Sequence, residues 1–233
     1  MAIFSEEDRK TLKDIFSENL KNIVEIELFL DYNGNKETSE IAKEIADEIM
    51  KLTDKIKFDI KDVSDPNVLE ELKNRNLVFD KYGNRKGPLF VFKKYPGIIY
   101  LGLPAGEEFP IFLEDIIHTS KEEFHISGDV AKKIAKINQP IDIFVFVTPT
   151  CPYCPYMTHS SHQFAMINKN IRSIMIEATE FPELSDKFKV YGVPHIEVLS
   201  QDGSVLGGFE GMVDTSIFAS KLEKILENIN KQK

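Results

Sequence analysis

Ile143-Phe144-Val145-Phe146-Val147-Thr148-Pro149-Thr150-Cys151-Pro152-Tyr153-Cys154-Pro155 is the stretch whose reading decides how this chain folds. Its apolar run, Ile143 to Val147, has the continuous hydrophobicity of a buried strand. Beyond it, Met157 to Asn168 carries apolar residues at helical spacing, so the sequence predicts a helix over 151–168 that opens on the cysteine pair. Cys151 and Cys154 are the only cysteines in 233 residues, and two residues separate them. A strand that delivers Cys-x-x-Cys to the first turn of a helix outlines a thiol–disulfide exchange site. The first backbone N–H groups of a helix lack internal partners, and the peptide dipoles place partial positive charge there. A thiolate at Cys151 would face those donors, which lowers its pKa and raises its population as nucleophile. Pro152 suits the first helical position, and Pro155 still lies in the opening turn, where neither forfeits a helix hydrogen bond.

Two other readings of the pair fit less well. Inert buried thiols need no such strand–helix context. A zinc site would recruit His159 and His162, but Cys151 and His162 are roughly 16 Å apart along a continuous helix. Zinc needs every ligand within about 2.0–2.3 Å of one point. No second cysteine pair exists to complete such a site, so no metal ligand and no cofactor is expected.

The chain is long enough for one large or two ordinary domains, and 42% hydrophobic residues suffice for a core in either case. A formal net charge of −9 argues against a nucleic-acid surface, which needs a basic stripe. Residues Ala2 to Lys10 lack the apolar core of a signal peptide, and no run is long enough to span a bilayer. The expectation is a soluble, cytoplasmic protein with no membrane or nucleic-acid partner. In a reducing compartment a Cys-x-x-Cys serves catalysis more often than stapling.

From the N-terminus, Ser5 and Asp8 open an amphipathic helix to about Lys21. A strand (23–30), a turn at Asn33-Gly34-Asn35, a helix (38–52), a strand (56–60) and a short helix (68–74) follow. Strands at 89–92 and 98–101 and a helix at 109–117 complete the first half. The second half repeats this order, with strands at 141–147, 171–176, 196–199 and 205–209 and helices at 151–168, 182–188 and 216–229. Three landmarks share one offset of 106 residues: Pro88 with Pro194, Gly102 with Gly208, and Phe112 with Phe218. A constant offset indicates internal duplication. Two α/β units are therefore expected, 1–119 without redox cysteines and 120–233 with them, each a mixed sheet flanked by helices. If Val193-Pro194 is cis, it makes a tight turn beside the cysteine helix. The Val193 backbone would then be free to pair with an extended peptide.

Strand, Cys151-Pro152-Tyr153-Cys154 and a later Val193-Pro194 resemble the thioredoxin and glutaredoxin fold. Two such units in tandem resemble the protein disulfide oxidoreductases of thermophilic archaea and bacteria. The likeness extends through His162, Phe164, Ala165, Glu177-Ala178 and Phe181-Pro182-Glu183, and in the first half through Gly102 to Gly106, Glu108-Phe109 and Phe112 to Ile116. It implies that Cys151 attacks, that Cys154 resolves, and that Pro194 is a cis-proline. Val193 and Pro194 would hold substrate backbone, while Pro152 and Tyr153 shape access and potential. It also implies protein disulfide or dithiol substrates and an upstream reductase such as a thioredoxin reductase-like flavoenzyme. Two departures stand out. The first unit has Asn33 to Ser39 where better-known members carry a second Cys-x-x-Cys, so it cannot do redox chemistry. Val145 stands where many thioredoxins bury an aspartate, so the proton acceptor for Cys154 is another group or water. His195 is either an ordinary strand residue or a neighbour of the Cys151 sulfur, and Glu197 either a rim residue or a buried proton acceptor. The alternatives to an oxidoreductase are a peptide-binding scaffold with little turnover and an iron–sulfur carrier using Cys151.

Overall fold

The computed structural model describes residues 3–79 and 85–230. The Ala2 end of the charged N-terminal stretch, and the outermost residues of both expected units, lie outside them. In chain order the elements are α1 (Glu6–Asn19), β1 (Val24–Leu30), α2 (Lys36–Leu52), β2 (Ile56–Asp62), α3 (Pro66–Asn74), β3 (Leu89–Phe92), β4 (Ile98–Leu101) and α4 (Glu108–Lys121). The second half contributes α5 (Gly128–Ala135), β5 (Ile141–Val147), α6 (Cys154–Ile167), β6 (Ile171–Glu177), α7 (Pro182–Lys187), β7 (His195–Ser200), β8 (Val205–Glu210) and α8 (Thr215–Asn230).

Local chemistry accounts for these boundaries. Ser5 caps α1 by accepting from the Asp8 N–H at 3.1 Å, and Asp8 in turn accepts from the Ser5 N–H at 3.0 Å. Ala42, Ile45, Ala46 and Ile49 form the buried stripe of α2. Asp65 caps α3, with Pro66 in its first turn. α5 was absent from the sequence expectation. It is only eight residues long, with Val130 and Ile134 as its buried pair, too little periodicity to register alone. It stands before β5 as α1 stands before β1.

Each half contributes a mixed four-stranded sheet, as expected, and the two run together into one eight-stranded sheet, ordered β2-β1-β3-β4-β6-β5-β7-β8. The halves join where β4 pairs in parallel with β6, Ile98 opposite Ser173 through Leu101 opposite Ile176. Each unit would otherwise end there on an exposed, largely apolar edge, a template for aggregation. The join demands close backbone approach at Gly97, where a Cβ would stand 2.4 Å from the Ile171 carbonyl oxygen. Within each half, two strands are parallel across a helix and two form an antiparallel hairpin, as expected (β1 with β2, β3 with β4; β5 with β6, β7 with β8).

Helices cover both faces. One core holds Phe16, Ile45, Phe90, Phe112, Val145, Cys154 and Phe218, and the other holds Leu72, Phe79, Phe144, Phe146, Phe181 and Leu184. α4 runs to Lys121, past the expected division at 119/120. We propose that the boundary between units lies in 122–127, between α4 and α5.

Candidate functional site

β5 ends at Val147, and residues 148–153 turn the chain toward α6. The helix begins at Cys154, three residues later than expected. Pro155, not Pro152, therefore occupies its first turn. Cys151 nonetheless faces the positive end of α6, because the N–H of Cys154 points at its sulfur, 3.2 Å away. The two cysteines form a disulfide. Cys154 is wholly enclosed and Cys151 is 7% exposed, so of the two only Cys151 keeps any exposure to solvent.

Opposite the disulfide, Val193-Pro194 is a cis peptide, and the Val193 carbonyl oxygen lies 3.8 Å from the Cys151 sulfur. Pro194 is buried, whereas Pro152 and Tyr153 are exposed. His195 turns away from the sulfurs: its ring nitrogens meet Glu197 at 3.1 Å and Glu210 at 3.3 Å, and its ring packs on Phe146. Its hydrogen bond with Glu197 raises its pKa. Glu197 is thus the partner of a strand histidine.

A carboxyl group to which the sequence assigned no chemical role lies behind the helix. Glu108, at the start of α4, is 1% exposed, and neither oxygen makes a well-formed hydrogen bond. Burial pushes its pKa to about 8, partly offset by the Thr158 hydroxyl that it faces. Thr158 follows Cys154 by one helical turn, on the same face of α6. α4 is pressed against the redox loop at its N-terminus: the Glu107 N–H donates to Pro149 O at 2.9 Å. At Gly106, with φ +59°, any Cβ would stand 2.1 Å from that same oxygen.

Residues 141–213 match the family described as thioredoxin domain. The chain superimposes on the alkylhydroperoxide reductase AhpF of Enterococcus faecalis with a TM-score of 0.76 at 26% identity, over 94% of this chain and 99% of that one. It superimposes on a protein disulfide oxidoreductase from Aeropyrum pernix with a TM-score of 0.77 at 24% identity, over 93% and 91% of the two chains. The fold is a tandem thioredoxin-like one. A curated relative, the corresponding alkyl hydroperoxide reductase component of Pseudomonas putida, is 25% identical over 130 residues. That match covers 54% of this chain, and the chain spans only about a quarter of that relative's length.

In the cysteine-free thioredoxin-like unit, Gly87-Pro88 is also a cis peptide. Where the second unit sets a sulfur against the carbonyl before its cis-proline, the first sets the Asn35 amide, which donates to Gly87 O at 3.2 Å. The same amide donates to Glu180 of the second unit at 2.8 Å, and the other Glu180 oxygen accepts from the Leu103 N–H at 2.6 Å. The corresponding position in the first half is thus a contact between the two halves.

Exposed tyrosines lie close in sequence to the disulfide and to the cis-proline. Tyr153 is 57% exposed, Tyr156 62% and Tyr191 88%. Tyr156 and Met212 line a cleft of about 500 Å³ that begins at Pro152 and runs to His159. Of this group only Tyr153 was expected from the sequence, since exposed side chains scattered over a helix start and loops give no periodic signal.

Proposed function

We propose that the protein is a thiol–disulfide oxidoreductase acting on the disulfides of proteins. The observation that carries this reading is the asymmetry of the pair: Cys151 faces solvent under a helix N–H, and Cys154 is sealed behind it. In the reduced state the Cys151 thiolate attacks one sulfur of a substrate disulfide, and the other substrate sulfur leaves as thiolate and is protonated. The substrate backbone is held by Val193, and the exposed tyrosines supply apolar contact to an unfolded or flexible chain. Cys154 gives up its proton and attacks the Cys151 sulfur. This frees the second substrate thiol and leaves the Cys151–Cys154 disulfide present in this structure. Two electrons have passed to the substrate, and an upstream reductase such as a thioredoxin reductase-like flavoenzyme would return them in a reducing compartment such as the cytoplasm. Among the described residues no helix is long and apolar enough to cross a membrane.

The test is turnover with a recycling dithiol, on a small aromatic disulfide and on an unfolded disulfide-bonded protein. Reduction of both is expected. Tyr153→Ala with Tyr156→Ala should lower the protein-substrate rate about tenfold, while changing the small-substrate rate little. Peptide binding with no turnover on either substrate would instead establish the scaffold reading. The likeness to components of two alkyl hydroperoxide reductases favours a second reading of the acceptor, in which the dithiol passes electrons to a peroxide-reducing partner.

Glu108 is the proton acceptor we assign to Cys154. Glu108→Gln should slow release of a bound mixed disulfide by about two orders of magnitude, the lower end of general-base effects. It should also remove a rise of that rate as pH approaches 8. Stability moves the other way. Folded Glu108 keeps its proton to about pH 8, whereas the unfolded chain releases it near the ordinary carboxyl value of 4.5. Between those values the native state binds more protons, so wild-type stability falls as pH rises. The loss should reach a few kcal/mol, a fall in Tm of about 5–10 °C, and be absent in the glutamine variant.

A further inference from the structure

We propose that Asp115, His118 and His159 form a binding site for zinc, or a similar divalent ion that prefers imidazole, and that it clamps α4 to α6 behind the redox pair. Asp115 and His118 are three residues apart on α4 and so share a face. His159 comes from α6, five residues beyond Cys154. One ligand atom from each lies within 4.8 Å of the others. Around zinc at about 2.0–2.2 Å, tetrahedral ligands are separated by roughly 3.3–3.6 Å, so small side-chain adjustments close the site.

The second observation is the state of those atoms. Asp115 Oδ1, His118 Nδ1 and His159 Nδ1 are all buried atoms without a hydrogen-bond partner. Asp115 is fully enclosed and His118 is 6% exposed, and unmet polar atoms at such depth are costly. One ion would satisfy all three together. The remaining atoms are already arranged as a supporting shell. Asp115 Oδ2 accepts from the Tyr100 hydroxyl at 2.5 Å and meets His162 Nδ1 at 2.6 Å, which fixes the carboxylate with Oδ1 free. His159 Nε2 contacts the Gln163 side chain, whose oxygen accepts from the His125 N–H. The His125 ring stands 4.8 Å from that of His118, and the active-site cleft reaches His159 and Glu114. Either that ring or water from the cleft can fill a fourth position. Glu114, 3.4 Å from His159 Nδ1, is half-exposed and can swing away to admit the ion. The site shares no ligand with the sulfurs, so it differs from any cluster built on Cys151 and Cys154.

The full chain, with its disulfide intact so that thiolates cannot bind, is stripped with chelator and titrated with zinc by calorimetry and with cobalt by visible absorption. One ion per chain is expected, at micromolar affinity or tighter. Cobalt should give tetrahedral visible bands without thiolate charge transfer, and zinc should raise Tm by several degrees. His118→Gln and His159→Gln should each weaken zinc at least tenfold and abolish the Tm shift. Should the more deeply buried His118 variant not unfold cooperatively, His159→Gln, at a side chain 24% exposed, carries the test. No uptake by the oxidised wild type at equimolar zinc in the tens of micromolar would overturn the proposal. So would uptake that the His159 substitution leaves unchanged.

Discussion

Cys154→Ser is expected to accumulate a covalent mixed disulfide with protein substrates, while Cys151→Ser accumulates almost none and loses turnover by at least about a thousandfold. The two thiols differ in access before they differ in chemistry. Cys154 is fully enclosed and Cys151 is not, so an incoming disulfide reaches only the latter. The Cys154 N–H at 3.2 Å, at the positive end of α6, stabilises charge on the Cys151 sulfur. With the resolving thiol gone, the bond between Cys151 and substrate has no internal route to cleavage, and non-reducing electrophoresis displays the adduct. A prominent adduct with Cys151→Ser, and none with Cys154→Ser, would reverse the roles. Alkylation of the reduced wild type against pH should place the Cys151 pKa below the free-thiol value near 8.5. The same titration in Glu108→Gln separates the two acid–base groups, since Glu108 faces Thr158, one helical turn beyond Cys154.

Much of this site was legible because its signals are local. An apolar pentad, two cysteines at fixed spacing and a proline before a later strand each constrain the backbone within a few residues. The 106-residue offset carried the pattern to Gly87-Pro88, and both X-Pro bonds are cis. What stayed hidden depends on contacts between distant segments. The raised pKa of Glu108 comes chiefly from burial, which follows from tertiary packing and not from a local sequence pattern. Asp115, His118 and His159 converge only once the same two helices are docked, so a search for ligands along a single helix rejects the wrong cluster and misses this one. The shared sheet had a sequence correlate that is ambiguous by nature. Ile98-Ile99-Tyr100-Leu101 is apolar at every position, which indicates a strand covered on both faces but does not name its neighbour.

The second unit cut free after α4, as 122–233, is expected not to fold cooperatively, a larger effect than any single substitution above. Its β6 would lose the parallel ladder from Ile98–Leu101. Ile174, Met175 and Ile176, all fully buried in the intact chain, would then border an open edge. The Ser173 N–H would lose the Gly97 carbonyl, 2.7 Å away, and Arg172 its bond to the Asn76 carbonyl at 2.9 Å. On the helical side, His162 is wholly buried and would lose Asp115, leaving an imidazole without its acceptor in an apolar setting. These losses fall on the elements that carry the redox pair, since α6 rests on β6. The fragment should therefore aggregate, or melt without a sharp transition, and should not reduce even the small aromatic disulfide. A gentler perturbation leaves the chain whole. Gly97→Val places a side chain against the Ile171 carbonyl oxygen and forces β4 off β6. It should cost about 2–4 kcal/mol, lowering Tm by roughly 4–16 °C in one transition that takes both units down together. Two separate transitions in that variant, or a sharply melting and active fragment, would show that the units are independent and that their common sheet is a weak contact between finished domains.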